Sequence, residues 1–357
     1  RSKNSTSQRR EPTGASSKIS RKASADLIKS EVLSALAPED RNYYAQIWER
    51  LEADLGVAAF EELFGHIRTI HNPKRNNASI AADIRQTLKP ASAPKAIIEQ
   101  ELEPKGRAFR ALSQADLRVG AQSVEANALL TAMARIRFQD WMPPAIAYFA
   151  TRRPRGDEAL RFLKALDRMS YALFVNGADE NTRTARYGAV IAAARDGGSL
   201  EAIEAAMALT PSEKNKMKNV LNGAIYQKAP IRAAVLLRID ESLSETVATY
   251  DTDKVTVEHI LPQNPHEKSP WLEHWPDSKL RRQWTDRLGN LTLLSEDKNV
   301  AAANFPFEKK KREYFAKGGV TRFVLTSQIL LEPEWTAEVV ARRHKMMFDT
   351  ACRLWDL

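Results

Sequence analysis

The apolar positions of this 357-residue chain follow two different periods. From Ala25 to about Ser244 they recur three and four apart, the spacing that lines one face of a helix. Tyr44, Ile47, Trp48 and Leu51 form one stripe, and Phe60, Leu63, Phe64 and Ile67 another. Leu160, Leu163, Leu166, Met169 and Leu173 continue the habit. Thr210 reads as an N-cap before Pro211, whose fixed φ suits the first helical position. Asp157, after the break Pro154-Arg-Gly156, is a second N-cap candidate. Arg183 to Ala194 and Ile231 to Ile239 read as further helices. Connections are expected at Asn72-Pro73, Pro90 to Pro94, Gly106 and Asn176-Gly177. No fixed-period repeat points to a solenoid.

The texture changes after about Glu245. Thr252 to Ile260 alternates, with Val255, Val257 and His259 on one face and Thr256 and Glu258 on the other, which predicts a strand. Residues 262–288 form an insert carrying Trp271, Trp275 and Trp284. Leu291 to Leu294 predicts a short second strand. Glu296 to Phe315 contains a helix interrupted or restarted near Phe305-Pro306. A closing helix runs from Trp335 to about Trp355 and packs through Val339, Val340, Met347 and Phe348. The expected fold is mainly α: a disordered basic tail over 1–24, an all-helical domain over 25–244, and a small α+β domain over 245–357 with a C-terminal helix.

Composition trims the options. One cysteine, Cys352, excludes a disulfide framework and any multi-cysteine zinc site, and it fits a reducing, cytoplasmic setting. No apolar run has the length of a membrane span and no signal-peptide pattern is present, so a soluble protein without a membrane partner is expected. The net charge is +9, but the tail holds seven of the basic residues (Arg1, Lys3, Arg9, Arg10, Lys18, Arg21, Lys22) against Glu11 alone. Overall charge is therefore weak support for a polyanion partner. A start at Arg1 without Met is read as a fragment or processed part of something longer.

The chemistry concentrates in three short pieces. An acid–imidazole pair, Glu258-His259, is followed by Ile260-Leu-Pro262. Leu288-Gly-Asn290 then opens the apolar run Leu291-Thr-Leu-Leu294, and Asn299 follows nine residues after Asn290. Phosphodiester hydrolysis at neutral pH needs a base for water, a cation against charge building on phosphate, and help for the leaving oxygen. Imidazole titrates near neutrality and suits the first task. Glu258 and Asn299 offer the hard oxygens that Mg²⁺ prefers. Adjacent strand residues point to opposite faces, so a bend or bulge is expected if Glu258 and His259 are to serve one site. A lone histidine in an apolar strand is usually structural; the pair of asparagines at this spacing turns the reading toward catalysis. Asn290 after Gly is a turn residue or a site residue. Trp271, Trp275 and Trp284 pack the insert or, for one of them, stack on a base.

These pieces resemble an HNH (His-Me finger) nuclease. The form is that of the C-terminal part of GmrSD-type modification-dependent restriction proteins and of the phage-defence nuclease SspE. The likeness runs through Glu258-His259-Ile260, Pro262, Arg287 to Leu294, Asn299, Asn304, Phe307, Lys309 and Tyr314, and extends to Trp335 and Arg343. It implies a strand–strand–helix metal finger with His259 as general base, Asn290 orienting it, and Glu258 and Asn299 as ligands of a divalent metal, most readily Mg²⁺, with Mn²⁺ as the alternative. Glu258 stands where Asp is usual, and its longer arm leaves direct coordination open. Asn304, for loop structure or a metal-bound water, and Lys309, for phosphate, are second-rank candidates. The run Lys309 to Arg312 is a solvated helix face or a phosphate-contacting edge. The implied activity is a DNA endonuclease of phage defence or modification-related restriction, nicking with one motif per chain. A non-catalytic DNA-binding module and an RNA-directed nuclease stay open beside it.

Residues 25–244 hold no nucleotide-binding glycine loop and no acid cluster with metal spacing. Arg135 to Arg137, Arg152 to Arg155 and Lys214 to Lys218 are basic runs that suit solvated faces as well as DNA. Relatives by this resemblance carry an upstream nucleotide-dependent sensor domain; here such a domain or partner protein is expected outside the chain.

Overall fold

The computed structural model describes residues 15–74, 78–195, 197–244, 255–295, 304–315 and 321–357. Helices α1 (Ala15–Ala35), α2 (Pro38–Leu55), α3 (Val57–His71), α4 (Ile80–Leu88), α5 (Glu103–Ser113) and α6 (Ser123–Met133) come first. They are followed by α7 (Met142–Arg152), α8 (Gly156–Val175), α9 (Glu180–Arg195), α10 (Leu200–Met207), α11 (Pro211–Leu221) and α12 (Ala229–Leu243). Strand β1 (Val255–His259) then leads to α13 (Trp271–His274), α14 (Ser278–Thr285) and β2 (Leu291–Ser295). Helices α15 (Phe307–Lys310), α16 (Val324–Leu330) and α17 (Ala337–Trp355) close the chain. Among the described residues the fold is mainly α with one small antiparallel sheet, as the two periods of the sequence predict. Of the expected tail, residues 1–14 lie outside the described residues, and α1 begins at Ala15.

Two compact units emerge. The first comprises residues 1–116, 140–154 and 184–199. Its stripes interlock as the spacing demands: Trp48, Phe60 and Phe64 are each about 1% exposed and touch one another with ring centroids 5.3–5.8 Å apart. Gly106 corrects an expectation. It does not break the chain but lies inside α5, where a Cβ would sit 3.5 Å from Leu63 and 3.6 Å from Leu51. The small residue allows close approach between helices.

The second unit comprises residues 117–139, 155–183 and 200–357. Here Thr210 caps α11 with Pro211 in its first turn, and Glu213 completes a reciprocal capping box. Asp157 is not the cap of α8. The helix already starts at Gly156, and Asp157 accepts a hydrogen bond from Gln122 at 3.0 Å. The buried faces of α6 and α8 are tied where Tyr171 donates to the Ala132 carbonyl at 2.9 Å. The expected boundary at residue 244 falls inside this unit, because α12 packs against both strands and against α16 and α17. Its Val235, Leu236, Leu237 and Ile239 are at most 2% exposed.

The hairpin pairs in unbroken register, from Val255 opposite Ser295 to His259 opposite Leu291. Beneath it Ile260, Leu261, Trp271, Trp275, Leu294 and Phe307 join Trp335 and Val340 in one core. Trp275 donates to the Trp335 carbonyl at 2.6 Å and Trp271 to the Phe305 carbonyl at 3.0 Å, so both indoles are packing residues. The closing helix is locked by Arg343, whose buried guanidinium donates to the carbonyls of Gly289 (2.8 Å), Leu291 (2.7 Å) and Leu325 (3.1 Å). Gly289 is required at this crossing: a Cβ would meet the Val340 carbonyl and lie 2.7 Å from His344 Cβ.

Candidate active site

His259 ends β1 with its ring pointing away from solvent, 7% exposed. Its Nε2 lies 3.0 Å from Asp286 Oδ1. An ionised carboxylate can only accept, so Nε2 carries the proton and Nδ1 is left with the basic lone pair. Tyr226 stacks obliquely on the imidazole, with centroids 3.8 Å apart. Burial pushes the His259 pKa down to about 4; Asp286 opposes that, while Lys310 and Arg232 add to it. The imidazole is therefore neutral at pH 7, the form able to take a proton.

Asp286 is itself heavily solvated by protein donors. Gln263 donates to Oδ1 at 3.0 Å and Gln227 to Oδ2 at 2.8 Å, and the Tyr226 N–H reaches the Asp286 carbonyl at 3.0 Å. Burial raises its carboxyl, but the hydrogen bonds from Gln227, Gln263 and His259 outweigh it and hold the group below its ordinary value. The sequence reading passed over Asp286. Its one signal was position: it stands four residues before Asn290, on the loop that opens the second strand.

Asn290 is fully buried and uses all four of its hydrogen-bonding capacities. Oδ1 accepts from the Leu261 N–H (2.8 Å) and Trp335 Nε1 (3.0 Å); Nδ2 donates to the carbonyls of Leu261 and Thr285, both at 2.9 Å. None of the four bonds goes to the imidazole itself. Instead it ties the backbone just after His259 to the backbone just before Asp286. The pair is thus set through the main chain on both sides.

Glu258 points the other way. The hairpin carries no bulge at this position, so the strand alternation sends the carboxylate to the opposite side from the imidazole. Lys310, fully buried, donates to Glu258 Oε1 at 2.8 Å and to the His259 carbonyl at 2.6 Å. Burial raises the Glu258 carboxyl and lowers the Lys310 ammonium, and each partner opposes the other's shift. The His259 backbone N–H also donates to the Glu258 carboxylate and works with Lys310 to lower its pKa against the effect of burial. Asn299 lies outside the described residues, and among those described no three His, Cys, Asp or Glu side chains converge on a metal position.

The second-rank candidates fall elsewhere. Lys309 covers the Phe305 ring at 3.5 Å and sits 3.9 Å from Glu313, and Asn304 is exposed in a turn. The structure brings Lys310 to the site, not Lys309. Helical spacing explains it: Lys310 is three residues beyond buried Phe307 and shares its inward face, whereas Lys309 is turned toward solvent.

The structure thus places a neutral imidazole against a carboxylate where β1 ends. Residues 211–350 match the family model described as GmrSD restriction endonucleases, C-terminal domain. That segment is thus a GmrSD-type C-terminal domain, which points to a restriction-type nuclease. No curated protein matches the chain. Among the described residues no helix is long and apolar enough to cross a membrane.

Proposed function

We propose that the chain is an HNH-type, divalent-metal-dependent endonuclease that hydrolyses DNA phosphodiesters in restriction or phage defence. The observation that carries this reading is the His259–Asp286 pair, 3.0 Å apart, clamped by Asn290 at the end of β1. His259 Nδ1 takes the proton of the attacking water, and Asp286 holds the tautomer and steadies the imidazolium that forms. Asn290 and Arg343 keep the β1 end and the turn before β2 in place, so little reorganisation is needed at the moment of attack. By the family resemblance Asn299 would hold Mg²⁺ or Mn²⁺; Glu258, turned to the other side of β1 from His259, would share that ion only if the end of the strand bent. That cation would supply positive charge against the phosphate oxygens. Lys310 holds the Glu258 carboxylate against β1 and ties it to the His259 carbonyl. One site per chain favours nicking.

Supercoiled plasmid given Mg²⁺ is expected to become open-circular, and His259→Ala to slow this by about 10²-fold or more. Cleavage by rigorously purified His259→Ala protein at the wild-type rate would overturn the reading. One observation favours a second reading, a finger that binds DNA without turnover: Lys310 already neutralises Glu258 at 2.8 Å. It predicts salt-sensitive binding with no metal-dependent product. Running the assay on DNA and on RNA of the same sequence separates the two substrates.

A further inference from the structure

Arg232, in the first turns of α12, stands beside the His259–Asp286 pair without an acidic partner. Its Nη1 donates to the Tyr226 carbonyl at 2.9 Å, and its Cζ lies 4.1 Å from the Tyr226 ring centroid. The same ring is 3.8 Å from the His259 ring, so guanidinium and imidazole are separated by no more than the sum of those two distances. Four other arginines of this unit are answered by carboxylates, Arg161 by Glu204, Arg238 by Asp167, Arg135 by Glu241 and Arg168 by Asp356, whereas Arg281 and Arg343 spend their N–H groups on backbone carbonyls away from the His259–Asp286 pair. Arg232 forms no ion pair among the described residues, and the nearby carboxylate of Asp286 is taken by Gln227, Gln263 and His259. A half-buried guanidinium oriented by a carbonyl and a ring, with its remaining N–H groups unspent, is suited to a two-point bond with a phosphate.

We infer that Arg232 contacts the non-bridging oxygens of the DNA phosphate attacked at His259. This rests on the endonuclease reading. Its consequence is that the helical segment before the hairpin, Tyr226 to Arg232, forms one wall of the site. Gln227 and Tyr226 position the His259–Asp286 pair, and Arg232 meets the substrate.

Two measurements on the full chain test it. In metal-free buffer, binding of a short DNA duplex is followed against salt in His259→Ala protein with and without Arg232→Ala. Loss of the contact is expected to weaken binding equally for different sequences and to lower the log–log salt slope by about one. In the active background, Arg232→Ala is expected to cut the single-turnover cleavage rate at saturating DNA by about 10²-fold. Arg232→Lys keeps the charge and should recover the salt slope but only part of the rate, since an ammonium cannot reproduce the fork. An unchanged slope and affinity, or Arg232→Ala cleavage within about twofold of wild type, would overturn the inference. Thermal melts of each variant exclude misfolding as the cause. A wild-type protein that never cleaves would sink the endonuclease reading instead, while the salt slope still decides the Arg232 contact.

Discussion

His259 and His344 are buried to nearly the same degree, 7% and 5% exposed, and burial pushes both imidazoles down to about 4. Their surroundings differ in one respect that matters. His344 spends both nitrogens on the scaffold: the Gly289 N–H donates to Nδ1 at 3.4 Å, and Nε2 donates to Asn222 Oδ1 at 2.8 Å. Trp284 packs against its ring edge-on. Among the described residues His259 spends one nitrogen on a carboxylate and keeps the other as a lone pair. A buried histidine with a lowered pKa is therefore not by itself a mark of catalysis. An unspent nitrogen opposite a charged orienting partner is the better sign.

The comparison breaks most visibly at Asp286. Asp286→Asn places an amide where donors arrive on both oxygens, from Gln263 and His259 on one side and Gln227 on the other. Plasmid cleavage is expected to fall by about 10²- to 10⁴-fold with the fold intact by circular dichroism. Near-normal cleavage would reduce His259 to a second His344.

Acid should act on both imidazoles as structure rather than as chemistry. Their folded pKa values, about 4, lie below the ordinary 6.5. Between pH 6.5 and about 4 the unfolded chain binds protons that the folded chain refuses, so stability falls as pH falls through that window. Each group contributes about 3 kcal/mol at most by this route. Around His259 the opposing carboxylate of Asp286 lessens the loss, while Lys310 and Arg232 add to it; Arg287 adds to it at His344. Urea midpoints at pH 7 and pH 5 measure the effect, and equal midpoints would show that both rings protonate in place.

The smallest expected effect is the most discriminating. His344→Gln removes a scaffold bond and should cost about 1–2 kcal/mol in a urea titration. It should leave the cleavage rate per folded molecule within about a factor of two. A rate loss as large as that of His259→Ala would make the two histidines parts of one site.

Much of the architecture follows from local rules that a linear sequence displays. The i, i+3, i+4 stripes of α2, α3 and α8, the Thr210–Pro211 cap and the alternation of Val255 to His259 each depend on neighbours within a turn or two. The site was legible only in its covalently nearby parts. His259 and Asn290 stood out because of their residue types and their place beside apolar runs. Gly106 misled because a glycine written as a break serves equally where two helices press together. Lys309 stood out in place of Lys310 because a run of lysines hides which one faces inward.

What the sequence alone determined is the candidate imidazole, the strand that carries it and the order of the pieces around it, since period and residue type are local properties. The tertiary structure decided its partners: Asp286 from the loop before β2, Tyr226 and Arg232 from the turn and helix ahead of β1, and Lys310 from α15. Those contacts span 27 to 51 residues of chain where the hydrogen-bonded pairs are concerned. They exist because packing α12 and α17 against the hairpin brings distant side chains together, and no periodicity in the chain records that packing.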